Sequence, residues 1–99
     1  MKKLYEDQTF SIYHTDDGYL LHNHTLEGFA HTHLKNYNTA LKLIELSRKG
    51  KCPMDLPRYL VISLYRITGE GRYKNRIGQV LEMRERIPYY NKTRFVACR

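Results

Sequence analysis

The chain has 99 residues, a net charge of +7, 41% hydrophobic residues and 12% aromatic residues. These values are typical of one globular domain with a single core, here residues 1–99, and exclude a disordered chain. No stretch approaches the ~18 apolar residues of a transmembrane helix, and no apolar segment follows Lys2 and Lys3 as in a signal peptide. We therefore expect a cytoplasmic protein with no membrane partner, in which Cys52 and Cys98 are free thiols.

The positive charge is distributed unevenly along the chain. Residues 1–49 contain six Lys or Arg and six Asp or Glu, whereas residues 50–99 contain eleven and four. All of the excess positive charge therefore lies in the C-terminal half. Attraction to a polyanion is expected to be centred there.

Three strands are predicted in the first third of the chain. Residues 9–15, 19–24 and 29–34 are rich in β-branched and aromatic types, which favour strands. Asp17-Gly18 is predicted to form a two-residue hairpin turn, because such turns need positive φ angles. Residues 25–28 are predicted to form the second loop, with Gly28 available for its tight position.

These turns predict how the strands pair. Tyr13 would lie opposite His22, His22 opposite His31, and His24 opposite Phe29. Because side chains alternate between faces along a strand, one face is predicted to pack against the helices. That face carries Phe10, Ile12, His14, Tyr19, Leu21, Asn23, Ala30, Thr32 and Leu34.

The opposite face is unusually rich in histidine. Its candidate binding residues are Tyr13, His22, His24, Phe29, His31 and His33. Three interpretations remain open: a solvated face, a platform for nucleic-acid bases or a protein partner (a homodimer included), and a transition-metal site. The metal site would use His22, His24, His31 and His33 as ligands for Zn²⁺ or Cu²⁺. No carboxylate or cysteine lies at a comparable spacing, and no other cofactor is expected.

Three helices are predicted after the strands. The first spans 39–49, with Asn36 or Asn38 as its cap and Gly50 as its end. The second spans 56–67, is capped by Asp55, and is apolar on most sides, which predicts the central buried helix. The third spans 72–87 and ends before Pro88. The predicted fold is α+β, a three-stranded antiparallel sheet followed by three helices. The composition of residues 94–97 also fits a short C-terminal strand.

The third predicted helix carries a row of polar residues. Arg72, Arg76, Gln79, Met83 and Arg86 are spaced so that they lie along one side of the helix. Arginine and glutamine on one ridge are suited to contacts with phosphates and base edges. Alternatively, Glu70–Lys74 and Glu82–Arg86 are favourable i, i+4 pairs, which are typical of a solvated helix.

Two resemblances carry further expectations. The stretch from Phe29 through Ala40, with its three preceding strands, resembles the AP2-like arm-binding domains of tyrosine recombinases, whose sheet enters the DNA major groove. Unlike that family, residues 9–34 contain no Lys or Arg. The strand-rich start, the His-x-His step and the Asn-Thr-Ala helix entry also resemble small uncharacterised proteins of Gram-positive phages and conjugative elements. That resemblance implies a mobile-element context but no activity.

The sequence contains none of the short motifs of common enzymes. There is no nucleophile elbow, no phosphate-binding loop, and no carboxylate placed to assist a histidine. We therefore expect a non-enzymatic, basic accessory protein that binds nucleic acid through Arg72, Arg76, Gln79 and Arg86. The alternatives are a protein-interaction module that uses the histidine-rich face and the metal site described above.

Overall fold

The computed structural model describes residues 1–28 and 30–86, excluding the side chains of residues 85 and 86. These residues form an α+β fold, which confirms the predicted class. The elements are β1 (Lys2–Glu6), β2 (Phe10–Thr15), β3 (Gly18–Asn23), β4 (His31–Leu34), α1 (Tyr37–Lys49), α2 (Arg58–Arg66) and α3 (Arg72–Arg86). The strands pair as an antiparallel meander in the order β1-β2-β3-β4. The predicted strand at 94–97 lies outside the described residues.

The sheet has four strands, so the prediction of three was wrong. The additional strand, β1, pairs with β2 at one edge and contains an irregularity between Lys3 and Tyr5. Lys3 pairs with Tyr13 on the outer face, whereas Tyr5 pairs with Ile12 on the core side. The extra residue, Leu4, thus interrupts the alternation that identifies a strand in a sequence. Lysines are also common on edge strands, where they discourage further pairing.

The first hairpin also differs from its prediction. Thr15 pairs with Gly18, so Asp16 and Asp17 form the turn, and Tyr13 lies opposite Leu20 instead of His22. The register differs by two residues, which leaves every side chain on its predicted face. Gly18 has φ +150°, and a Cβ atom there would lie 2.5 Å from the Leu34 carbonyl oxygen. The glycine is therefore required by the close approach of β4 beside this turn.

Gly18→Ala is expected to lower the free energy of unfolding by about 3 kcal/mol, because strain and a backbone clash combine. Gly71→Ala is the matched control, since Gly71 has φ +149° but open space around its Cα. It is expected to cost only about 1 kcal/mol. Urea denaturation of both variants measures the difference, and equal losses would mean that the Leu34 contact contributes nothing.

The helix boundaries follow from local backbone geometry. α1 begins two residues earlier than predicted, with Asn36 at its N-cap, although no side-chain hydrogen bond caps it. Gly50 ends α1 in the left-handed conformation, as predicted, with φ +65°. Pro57, not Asp55, is the N-cap of α2, because the Leu56 N–H already bonds to the Pro53 carbonyl in a preceding turn. The helix therefore starts only at Arg58.

The core lies between one face of the sheet and the three helices. Phe10, Ile12, Leu21 and Leu34 of the sheet are buried as predicted, but His14 is exposed. The helices contribute Ala40, Leu43, Ile44, Leu60, Val61, Leu64, Ile77 and Val80. Helix α2 is not buried on most sides, because Tyr59 and Tyr65 are 64% and 40% exposed. Its apolar composition thus reflects aromatic residues at the surface as well as aliphatic residues in the core.

Two buried hydrogen bonds fasten the sheet to the region of α2. The Thr32 hydroxyl of β4 donates to Ser63 Oγ on α2 at 2.7 Å. The Asn23 side-chain amide at the end of β3 donates to the Ile67 carbonyl oxygen at 2.8 Å. Buried polar groups are costly unless paired, so these bonds favour one alignment of the helix on the strands.

A polar network around Asp7 links β1, the following turn and α1. Asp7 Oδ1 accepts hydrogen bonds from the backbone N–H groups of Thr9 and Phe10. Its Oδ2 accepts from the Tyr5 hydroxyl at 2.7 Å and from Arg48 at 2.6 Å. Burial alone would raise the pKa of Asp7, but these donors outweigh it and lower that pKa to about 2.

Asp7→Asn is expected to lower the free energy of unfolding by about 2 kcal/mol near neutral pH, because charged acceptors form the stronger hydrogen bonds. The folded-state pKa is depressed, so the ionised carboxylate stabilises fully above its ordinary pKa of 3.8 and ceases to do so as the pH falls towards 2. The difference between wild type and variant should therefore narrow in acid. Urea denaturation of wild type and variant across this pH range measures this difference in stability, and the exposed Asp16→Asn is the control. A difference between wild type and Asp7→Asn that does not change with pH would contradict this role of the carboxylate.

Candidate nucleic-acid interface

Helix α3 has two distinct sides. Ile77 and Val80 are buried in the core, and Tyr73 and Leu81 pack against it from partly buried positions. Arg72, Arg76 and Gln79 are exposed on the other side, where Met83 is 50% exposed. Arg72, Arg76, Gln79 and Met83 thus lie along one exposed side of α3, as their spacing predicted, and we call this side the arginine ridge. The side chain of Arg86 lies outside the described part of the chain.

Tyr73 anchors the beginning of α3. Its hydroxyl donates to the carbonyl oxygens of Leu46 and Lys51, at 3.2 and 2.7 Å. The Leu46 carbonyl also accepts the Lys51 N–H, which closes the end of α1 after Gly50. Burial raises the pKa of Tyr73 to about 12, and the adjacent Cys52 thiol adds to this effect. Tyr73 therefore connects α3 to the end of α1, a contact that the sequence pattern of α3 does not reveal.

Two further contacts hold α3 in place. Arg84 donates a hydrogen bond to the carbonyl oxygen of Leu56, which precedes α2. Lys74 lies over the ring of Tyr65 at 4.6 Å from its centroid, and its Nζ is 4.0 Å from Glu70. The predicted Glu70–Lys74 pair is therefore present. Together these contacts fix the orientation of α3, so that its arginine ridge faces away from the core.

Some basic residues are paired with a carboxylate, whereas the arginines of this ridge are not. Arg48, Lys49 and Lys74 each lie within 4.0 Å of a carboxylate. Among residues 1–28 and 30–84, neither Arg72 nor Arg76 forms a salt bridge, and the same is true of exposed lysines such as Lys35 and Lys42. The guanidinium groups of Arg72 and Arg76 thus lie at the surface with no neutralising acid among these residues, which is an arrangement that attracts phosphate.

Lys51 lies next to the beginning of α3. Its carbonyl oxygen accepts the Tyr73 hydroxyl at 2.7 Å, and its side chain is exposed. Sequence periodicity could not place Lys51 beside α3, because the contact joins a linker to a helix more than twenty residues further along the chain. Other basic residues that could widen the patch on the basis of charge include Lys92, Arg94 and Arg99, which lie outside the described residues.

The outer face of the sheet presents two rows of side chains. One row contains Lys3, Tyr13, Leu20 and His33, and the other contains Glu6, Ser11, His22 and His31. The predicted pairing of His22 with His31 is confirmed. Lys3 and Glu6 neutralise each other at 2.5 Å. Of the four histidines predicted to cluster, His22, His31 and His33 therefore lie on the outer face, near the β4 edge of the sheet.

His24 and Phe29 do not extend this group. His24 donates from Nε2 to the Asp7 carbonyl oxygen at 2.9 Å, so its ring lies over the β1–β2 turn. Phe29 lies outside the described residues. In the described ranges, no group of three or more His, Cys, Asp or Glu residues is arranged to hold a metal ion. The structure thus gives no geometric support to the four-histidine metal hypothesis.

Comparisons with protein-family models, with curated protein sequences and with solved structures find no match to this chain. The resemblances to recombinase arm-binding domains and to mobile-element proteins therefore stay predictions from the sequence. Among the described helices, none is long and apolar enough to cross a membrane.

Tyr73→Phe is expected to lower the free energy of unfolding by about 1 kcal/mol near neutral pH, because two acceptors lose their donor. The fold raises the pKa of this phenol, so the protonated form contributes fully below pH 10 and ceases to contribute as the pH rises towards 12. The wild-type advantage should therefore shrink in alkali. Thermal denaturation against pH measures this, with exposed Tyr59→Phe as control; a deficit that does not change between neutral and alkaline pH would show that the hydroxyl is not a structural anchor.

Proposed function

We propose that the protein binds nucleic acid through the exposed side of α3 and acts as a non-enzymatic accessory protein. The single observation that carries this proposal is the placement of two arginines, about one helical turn apart, on the same exposed side of an anchored helix. Arg72 and Arg76 are exposed without a salt bridge among the described residues, on a helix whose other side is fixed in the core. An anchored cation binds phosphate with less loss of side-chain and backbone entropy than one on a mobile segment.

The residue types on the ridge fit the two kinds of contact that nucleic-acid recognition needs. Arg72 and Arg76 suit phosphate oxygens, and Gln79 suits the edge of a base, adenine above all. An α-helix has a diameter that the DNA major groove admits. The order of a short helix α2, a connection of residues 67–71 and a basic helix α3 agrees with helix-turn-helix units, whose second helix enters that groove.

The charge of the sheet supports the same choice of surface. Strands β2, β3 and β4 contain no Lys or Arg, Lys3 of β1 is paired with Glu6, and Lys2 at the start of β1 is the remaining cation of the four strands. Near neutral pH, the sheet therefore offers less attraction to a phosphate backbone than α3 does. A recombinase-like mode, in which the sheet enters the groove, is less favoured than binding by α3.

Replacing Arg72 and Arg76 together by Glu is expected to weaken binding to a mixed-sequence duplex by about a hundredfold at low salt. Each lost phosphate contact also removes about 0.9 from the slope of log affinity against log salt, so the slope should fall by about 2. Fluorescence anisotropy with duplex and single-stranded probes gives both quantities. Gln79 is left intact so that the phosphate contribution is measured alone.

The matched control replaces Lys35 and Lys42 by Glu, because both are exposed and the charge change is identical. This control should retain most of the affinity, which separates a local contact from an effect of net charge. Equal losses in the two double variants would reduce the interaction to non-specific attraction. Absence of binding by the wild-type protein at low salt would refute the proposal.

A further inference from the structure

A second cluster of basic groups lies where β4 meets α2, on a surface that the proposed nucleic-acid contact does not use. The rings of His31 and His33, two residues apart on β4, have centroids 5.4 Å apart and stand nearly perpendicular, at 87°. His22 of β3 is the cross-strand partner of His31. Three imidazoles are therefore neighbours on the outer face at this edge of the sheet.

Arg66, the last residue of α2, adds a permanent positive charge to this region. It lines a groove of about 320 Å³ between β4 and α2, which falls in the size range of small-molecule sites. The other lining residues are Thr32, His33, Tyr59, Ile62 and Ser63. Proximity of Arg66 to these histidines was not visible in the sequence, because more than thirty residues separate Arg66 from His33 and from His31.

No carboxylate compensates these groups within the groove. None of its described lining residues is an Asp or Glu. Glu27 and Glu70 line a neighbouring groove that Arg66 also borders, but within the described part of the chain they form no salt bridge with it. Burial lowers the pKa of His31, and the nearby His33, His22 and Arg66 lower it further. Within the described residues, His33 on β4, His22 on β3 and Arg66 on α2 are thus charged or titratable groups that act on His31.

The sign of this charge selects the kind of ligand. A metal cation would be repelled by Arg66, and the near-perpendicular rings of His31 and His33 do not suggest convergence on one point. An oxyanion would instead relieve the repulsion between the like charges, and a guanidinium offers it two parallel N–H donors. The exposed ring of Tyr59 and the side chain of Ile62 give the same groove an apolar wall.

We propose that this groove binds a nucleotide, with its phosphate held by Arg66 and His33 and its base against Tyr59. His31, whose ring neighbours that of His33, and its cross-strand partner His22 do not line the groove, but they add positive charge beside it when they are protonated. The site is separate from the α3 ridge, and each can fail without the other. Anion binding favours protonated imidazole over the neutral ring, so the bound anion and low pH should reinforce each other.

The test follows the imidazole NMR signals of wild-type protein during titration with sulfate, inorganic phosphate and adenosine monophosphate. Sulfate keeps its charge across the histidine range, so its affinity should rise as the pH falls from about 8 to about 5.5, where histidines gain charge. The signals of His22, His31 and His33 should move together, whereas that of His14 should not. No response of these signals to any of the three anions at the lower pH would overturn the proposal.

Three variants sharpen the assignment. Arg66→Gln is expected to weaken phosphate binding by about tenfold or more, since a charge-assisted, two-pronged contact is lost. His33→Gln should reduce the gain in sulfate affinity at low pH. Lys42→Gln removes the same charge from an exposed position on α1, and it should change neither phosphate affinity nor the gain in sulfate affinity at low pH. Unchanged phosphate binding in Arg66→Gln, or an equal loss in Lys42→Gln, would contradict the site.

The nucleotide part of the proposal has its own readout. Adenosine monophosphate should bind about fivefold or more tightly than inorganic phosphate, because its base stacks on an aromatic ring. Tyr59→Ala should abolish that advantage and leave phosphate binding in place. Equal affinities for the two ligands in the wild-type protein would reject a nucleotide as the occupant. A short oligonucleotide lacking a terminal phosphate distinguishes the sources: it should move the histidine signals less than the mononucleotide does.

Discussion

The attachment of α3 by one side is the constraint on which the account depends. Ile77 and Val80 are buried in the common core, and Tyr73 bonds to the carbonyl groups at the end of α1. Together with the Arg84 contact to Leu56, these bonds leave the helix little freedom to rotate about its axis. Rotation of α3 by half a turn would bury Arg72 and Arg76, and burying charged groups without partners is costly. The exposure of the arginine ridge is therefore a consequence of core packing.

The sheet and the helices contribute differently to the two proposed binding surfaces. The meander supplies the face on which the helices pack, and Lys3 of β1 is paired with Glu6. Of the cations proposed to bind, Arg72 and Arg76 lie on α3 and Arg66 lies at the end of α2. Two surfaces follow: the α3 ridge, whose arginines are charged at every physiological pH, and the β4–α2 groove, whose histidines respond to pH.

Sequence periodicity predicted those features that depend on neighbouring residues. The side of α3 that carries Arg72, the buried face of the sheet and the His22–His31 pair all follow from local spacing. Features set by distant contacts were missed. The first hairpin has its register because Gly18 must admit the Leu34 carbonyl, and β1 is concealed by the extra residue Leu4. The approach of Arg66 to β4 likewise arises only after the chain has folded.

The central claim is that nucleic acid contacts α3 and not the sheet. Backbone amide NMR of the protein, titrated with a short mixed-sequence duplex near neutral pH, locates that contact directly. The account predicts that the largest shift changes follow the exposed side of α3, at Arg72, Arg76 and Gln79, and include Lys51. Changes centred on Tyr13, His22 and His31, with α3 unaffected, would contradict it and identify the sheet as the binding surface.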